Sequence, residues 1–366
     1  MAMTYKCPNC DGGLTFNPQT GQFHCAYCLS DFTQEQLDAI ASEQTQQGTA
    51  QTAQQAEAGQ TPQDDGWQQA GAQAQAEEEL ALYTCPSCGA QILTEKTTAA
   101  TFCYYCHNPI VLSETLSGAS APDGVIPFAI DRDEAVKRFT RWIRSKKYVP
   151  RAFFNKQQIQ RISGVYFPYW VAEVDVDAQM QAQGRTVRVW RAGDTEYTET
   201  KHYAIERAGS IHFADLSQNA LKKANRKLVE GVQPFDESAV KPFSAAYLSG
   251  FVAQTRDVEQ EEAAQALEPE LDDYAQKLLR DTISGYGSVH TQSCTVRRTG
   301  QTFRCILRPV WVLTYQGEDQ MYYYAMNGQT GKVCGELPTD GRRLWTLFAQ
   351  VSVPLFALLT IGAMLL

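Results

Sequence analysis

The chain has 366 residues, 43% of them apolar, and a formal charge of −9; that is length for two or three folded units and enough apolar content for at least one sizeable core. The charge is one-sided, because Lys6 and Lys96 are the only basic residues among the first 112, against twelve acidic ones, which argues against a phosphate-gripping front end. Eight of the eleven cysteines fall into four Cys-x-x-Cys pairs, while Cys294, Cys305 and Cys334 stand alone, a pattern of metal use in a reducing compartment rather than of a disulfide framework.

Residues 5–28 and 83–106 repeat one another. Tyr5-Lys-Cys-Pro-Asn-Cys10 matches Tyr83-Thr-Cys-Pro-Ser-Cys88, and in each copy fourteen residues separate the first Cys-x-x-Cys knuckle from a second. A Cys-x-x-Cys turn aims two thiolates at one ion about 2.3 Å away, and two such turns facing each other complete a tetrahedron. The expected sites are Cys7, Cys10, Cys25 and Cys28, and Cys85, Cys88, Cys103 and Cys106, each holding one structural Zn2+ ion. Each ribbon is about 30 residues, below the size at which an apolar core alone suffices, so the metal is expected to supply folding free energy. A closed four-thiolate site leaves no open position for substrate. The same cysteine pairs are also used by rubredoxin-type iron sites and redox dithiols. His24 and His107 flank Cys25 and Cys106 but are not expected to be ligands where four thiolates are present.

The first ribbon spans 1–32, with Asn17-Pro-Gln-Thr-Gly21 as its hairpin turn, and the second spans 81–112. Between them, 33–80 is rich in Gln, Ala, Thr, Gly and Glu and reads as a flexible acidic linker with a helix resuming near 77–82. A larger α+β domain with an antiparallel sheet is expected over 120–338. It opens with a basic amphipathic helix from Asp131 or Asp133 to about Lys147, with Val136, Phe139, Trp142 and Ile143 on one face. That helix suits docking on the domain, with lipid or nucleic acid as rival contacts for Lys137, Arg138 and Arg141.

Strands are expected at 164–178, 186–190 and 196–206, and a helix at 216–229. A long helix follows over 258–283, packed on a sheet from 288–298, 302–315, 320–326 and 332–337, with turns at Gly317-Glu-Asp319 and Asn327-Gly328. Glu173, Asp175 and Asp177 alternate with valine, the pattern of a wetted sheet face as well as of an acid/base cluster. His202, His212 and His290 lack paired-ligand spacing, the three lone cysteines sit in strands as small apolar residues, and Gly285-Tyr-Gly287 follows a helix instead of opening one, so no nucleotide loop or nucleophile is assigned and an enzyme is not expected. From Leu344 to Leu366 there is no charge over 23 residues, about 34 Å as a helix, which suggests a transmembrane helix. Arg342 and Arg343 before it would put the large N-terminal part on the cytoplasmic side of a single-pass cell-membrane protein.

The ribbons resemble TFIIB-type zinc ribbons. Val125-Ile-Pro-Phe128, Gly164-Val-Tyr-Phe-Pro-Tyr-Trp170 and Asn327-Gly-Gln-Thr-Gly331 resemble segments of bacterial membrane-anchored zinc-ribbon proteins, over most of the chain. Some of that group are labelled primosomal-helicase-like, but no Gly-x-x-x-x-Gly-Lys-Ser/Thr loop is present here, and the last hairpin is similar to a PepSY-type repeat. The expected function is a membrane-anchored protein-interaction adaptor with structural zinc, bound to the bilayer by its C-terminal helix and to a protein partner there. The alternative is a nucleic-acid-binding, transcription- or replication-linked ribbon protein, which the acidic front third disfavours.

Overall fold

The computed structural model describes residues 2–37, 39–40, 80–103, 106–112, 116, 121–146, 162–316, 321–337 and 341–364. Residues 38 and 41–79 of the linker expected over 33–80 lie outside them, as does the expected turn at 317–319. Strands run in the order β1 (Ala2–Met3), β2 (Leu14–Asn17), β3 (Gln22–Cys25), β4 (Asp31–Phe32), β5 (Leu80–Thr84), β6 (Gln91–Glu95), β7 (Thr98–Phe102), β8 (Pro109–Leu112) and β9 (Gly124–Val125). They continue with β10 (Ser163–Ala192), β11 (Thr195–Asn219), β12 (Lys241–Pro242), β13 (Val252–Gln254), β14 (Ser288–Gln316), β15 (Met321–Asn327) and β16 (Val333–Gly335). Helices are α1 (Arg132–Arg144), α2 (Arg226–Gly231), α3 (Gln260–Asp281) and α4 (Gly341–Met364).

The architecture corrects the α+β expectation: the chain is mostly sheet. Eleven strands join in one sheet whose main path is β1-β8-β7-β13-β10-β14-β15-β16, with β11 on β10, β9 on β14 and β12 on β9. It is mixed rather than antiparallel, since β13 runs parallel to β10 and β9 parallel to β14. Its spine is three very long strands. β10 alone has 30 residues, about 100 Å at roughly 3.3 Å per residue. The separate short strands read at 164–206 are two continuous ones, and β14 joins the two read at 288–315. Gly184 sits within the ladder opposite Tyr203, and at Gly300, opposite Asp175, the strand runs on through a register shift that passes over Thr299.

Strand alternation explains how the spine is covered. Ala172, Val174, Val176, Ala178 and Met180 are buried on one face, and α3 lays Leu267, Leu271, Ala275 and Leu279, spaced four apart, across them, with Ala263 one turn earlier beside Trp170. The opposite face is wet, and its carboxylates are paired across strands: Glu173 with Arg304, Asp175 with His212, Asp177 with Arg297. Each pair is exposed to solvent, so it contributes little to stability.

Two helix assignments also change. Residues 80–84 form strand β5, paired with β6 from Leu80 opposite Glu95. The helix read at 216–229 is the end of β11 followed by the short α2, whose cap is Asn225, with its side chain accepting from the Leu228 N–H.

The three quoted motifs form the centre of the body. Phe128 stacks on Phe251 with centroids 4.3 Å apart, Tyr169 Oη donates to the Val229 carbonyl and Trp170 Nε1 to that of Val258. Asn327 is fully buried. Its amide donates to the Val232 and Pro234 carbonyls while its oxygen accepts from the Gln329 and Thr330 N–H groups. These are satisfied buried polar groups, which specify one packing.

The transmembrane helix is not supported. Among the described residues no helix is long and apolar enough to cross a membrane. α4 does cover the segment, but Thr346, Gln350, Ser352 and Pro354 interrupt its apolar residues, and a count of charges alone gave them too little weight. The single-pass cell-membrane placement, with its cytoplasmic N-terminal part, and the lipid contact rested on that helix and lose their basis. Trp345 and Phe348 are exposed along α4, and nothing in the structure shows what covers them.

Candidate metal centres

Each knuckle is a hydrogen-bonded turn built the same way four times. The N–H four residues after the first cysteine donates back to that cysteine's carbonyl: Asp11 to Cys7, Leu29 to Cys25 and Gly89 to Cys85 at 2.9 Å, and His107 to Cys103 at 3.0 Å. The first cysteine's own N–H then donates to the carbonyl one residue further, at Gly12, Ser30, Ala90 and Asn108. Closing this turn requires the left-handed backbone region, and the four residues have φ of +57°, +59°, +74° and +56°. Only Gly89 takes it without steric cost. This geometry was missed at the sequence level, where Asp11, Leu29 and His107 carry no glycine signal.

The turns bring the expected ligands together. In each quartet the four thiol sulfurs lie within 4.8 Å of one another, so each could hold a zinc ion. Sulfur separations are 3.5 Å for Cys7–Cys28 and Cys10–Cys25, 3.8 Å for Cys85–Cys106 and 3.6 Å for Cys88–Cys103. A zinc tetrahedron with bonds of about 2.3 Å has edges of about 3.8 Å, whereas a disulfide brings its sulfurs to about 2.05 Å. The donor sets therefore fit a tetrahedral metal and not cystine.

The thiols are shifted in both directions: Cys28 is lowered, while Cys7, Cys10, Cys88 and Cys106 are raised. The Asn9 N–H donates to Cys7 Sγ at 3.4 Å, and Ser30 Oγ lies 3.3 Å from Cys28 Sγ. The Ser30 hydroxyl and N–H hold the Cys28 thiol down at about 6, while desolvation pushes the Cys7 thiol up. Four thiolates this close repel one another, and a dication at their centre offsets that repulsion. Cys7, Cys25, Cys85 and Cys103, the first cysteine of each knuckle, are buried.

The flanking histidines point elsewhere. His24 Nδ1 meets Asp31 Oδ1 at 2.8 Å across the β3–β4 pair, and His107 occupies the left-handed turn position. Neither belongs to a quartet. Of the scattered residues, Cys305 is buried in β14 and Cys294 and Cys334 are partly buried in strands. Among the described residues no other group of three or more His, Cys, Asp and Glu could hold a metal.

The ribbons are fastened to the body. β1 pairs with β8 from Ala2 opposite Leu112, and β7 pairs with β13, so the second ribbon's hairpin continues the large sheet. The first ribbon docks through the Phe16 N–H, which donates to the Ser249 carbonyl at 3.0 Å, and through Ser249 Oγ, which donates to the Leu14 carbonyl.

No family model matches the chain, and no solved structure matches it. It is 28% identical over 366 residues to the uncharacterized protein YdjG of Bacillus subtilis (strain 168), covering 100% of this chain and 99% of that relative. The similarity runs the whole length of both chains, ribbons and body together.

Proposed function

We propose that the chain is a zinc-stabilised adaptor, in which two structural zinc ions rigidify TFIIB-type ribbons that present apolar tips to a protein partner. The observation that carries this reading is the pair of closed four-sulfur sites with tetrahedral spacing, which hold fold and leave no ligand position for catalysis. Exposed apolar side chains stand on the elements those sites hold. Tyr27 and Leu29 flank Cys28 and are both 72% exposed. On the second ribbon, Leu82 and Leu93 are a directly opposed cross-strand pair, both exposed. Ribbons too small to bury such residues, set on a rigid body, suit recognition of an apolar patch on another protein.

The test is crosslinking of the full chain in its native cells. Tyr27→Ala with Leu29→Gly, and Leu82→Ser with Leu93→Ser, should each lose crosslinked partners while the metal content stays at the wild-type level. A partner set identical in wild type, both surface variants and metal-stripped protein would contradict the adaptor reading.

A further inference from the structure

The three-stranded spine ends unevenly. β14 begins at Ser288, opposite Arg185, while β10 runs on to Ala192 and returns through Gly193-Asp194 into β11. Among the described residues, 186–192 therefore pair with 195–201 on one side and with no strand on the other. This leaves about 23 Å of open strand edge, at roughly 3.3 Å per residue, on a two-stranded ribbon of a kind that is marginal in water by itself.

Strand geometry says which backbone groups that edge offers. In an antiparallel ladder alternate residues turn their N–H and C=O to the same neighbour. A two-residue turn makes the pair that flanks it, here Ala192 and Thr195, a hydrogen-bonded one. Thr186, Arg188, Trp190 and Ala192 therefore face β11, with no register shift between them. Arg185 faces the other way, its carbonyl accepting the Gly287 N–H at 2.9 Å. Val187, Val189 and Arg191 accordingly turn their N–H and C=O to the open edge.

Natural edges are guarded by lysine, proline or a bulge, and 186–192 has none of these. Val187 and Val189 are each more than half exposed. The two arginines are engaged on the faces of the hairpin: Arg191 Nε meets Glu196 at 3.1 Å, and the Arg188 guanidinium lies 5.8 Å from the centre of the Trp190 ring, which stacks on Tyr197. The outer edge of the same hairpin is different, since 195–201 carries Glu196, Glu199 and Lys201, and both carboxylates are already paired, with Arg191 and Lys201.

We propose that two copies of this chain join through the open edge of β10, antiparallel about a twofold axis at Val189. The N–H and C=O groups of Val187, Val189 and Arg191 then bond those of Arg191, Val189 and Val187 of the second copy. Val189 stands opposite its own counterpart, and Arg188 opposite Trp190 of the second copy, a cation beside a ring. Centring the pairing on Arg188 or Arg191 instead sets like charges against each other, and sliding it toward the body meets Arg185, whose carbonyl is taken. An edge complementary to itself in one register closes as a dimer and does not propagate. Two ribbons this short bury less than the roughly 1,200 Å2 of a stable interface, so the dimer is a reversible one, with a Kd on the order of 10–100 µM. The edge holds no residue of either cysteine quartet or of the ribbon tips, so it does not depend on the adaptor reading.

Sedimentation velocity of the zinc-loaded full chain, from about 5 µM to about 500 µM to bracket that Kd, tests it. Wild type should pass reversibly from monomer to dimer. Val189→Pro removes an N–H of the open edge and Val189→Lys places a guarding charge there; each should weaken the dimer about tenfold or more. Thr198, opposite Val189, turns its N–H to the outer edge of β11, so Thr198→Pro burdens the hairpin equally and should dimerise as wild type does. Val189→Cys should form a disulfide between copies on mild oxidation, because directly opposed strand residues lie within disulfide reach, and Thr200→Cys on β11 should not. Zinc content and circular dichroism equal to wild type establish that the variants are folded. A wild type that stays monomeric throughout, association that grows beyond a dimer, a dimer untouched by both Val189→Pro and Val189→Lys, or one lost equally in Thr198→Pro would each overturn the proposal.

Discussion

Phe16 of the first ribbon meets Tyr247 of the body edge-on, with ring centroids 5.3 Å apart and planes at 72°. Phe23 closes on the same tyrosine at 6.1 Å, and all three rings are buried. A small metal-held hairpin thus buries its apolar side on the domain that follows it, and edge-to-face aromatic contacts add to the burial.

Removing that anchor separates docking from metal binding. Tyr247→Ala should cost about 3 kcal/mol or more of stability, as large aromatic truncations in cores do. Hydrogen exchange should quicken over 14–25, with zinc content unchanged. Loss of the first zinc together with docking would show that the ribbon does not hold its own fold.

The left-handed knuckle positions make a second, signed prediction. Leu29→Gly and His107→Gly relieve a strained φ and should be neutral or stabilise by up to about 1 kcal/mol, depending on the entropy glycine adds to the unfolded chain. Gly89→Val places a β-branched residue at φ +74° and should destabilise by more than 1 kcal/mol, or roughly that. Chelator-midpoint titrations of the three variants read this directly.

Much of this site was legible because cysteine spacing reports metal geometry directly: both quartets assemble as the repeat implied. The helices α1 and α3 were legible from their apolar spacing: α1 buries Phe139 and Ile143 and α3 buries Leu267 and Leu271, although the face read from Ala264, Tyr274 and Leu278 is turned, with Ala263, Ala275 and Leu279 buried and Tyr274 and Leu278 exposed. The sheet was harder. Its long strands carry polar and small residues such as Gln179, Gln181 and Gly184 without a break, because neighbouring strands, and not local propensity, hold them extended. Pairings such as β1 with β8 and β13 with β7 join segments about 110 and 150 residues apart, and no local pattern reports that. The left-handed positions went unseen because hydrogen bonding of the knuckle overrides the preference of leucine and histidine.

Arg308 and Glu237 form a buried pair that supports a third prediction. Arg308 is 2% exposed, lies over the rings of Tyr169 and Phe235, and bonds Glu237 through one guanidinium nitrogen. Arg308 Nε and Glu237 Oε2 have no partner. Burial pushes the Glu237 carboxyl up, with Arg308 opposing, and pushes the Arg308 guanidinium down. Desolvation therefore outweighs attraction, and Arg308→Met with Glu237→Leu should stay within about 1 kcal/mol of wild type. The sign with pH follows. A carboxyl whose folded pKa is raised contributes stability at low pH that is lost as pH rises through the folded value. Urea titrations across that range should show this loss in wild type and not in Glu237→Gln.

Metal analysis of the purified full chain is the most direct test of the central claim. Elemental mass spectrometry should find two zinc ions per wild-type chain, two in His24→Ala, one in Cys10→Ser, one in Cys88→Ser and none in the double cysteine variant. Iron in place of zinc, no metal in wild type, or a zinc lost on changing His24 would contradict the two four-thiolate zinc centres on which the account rests.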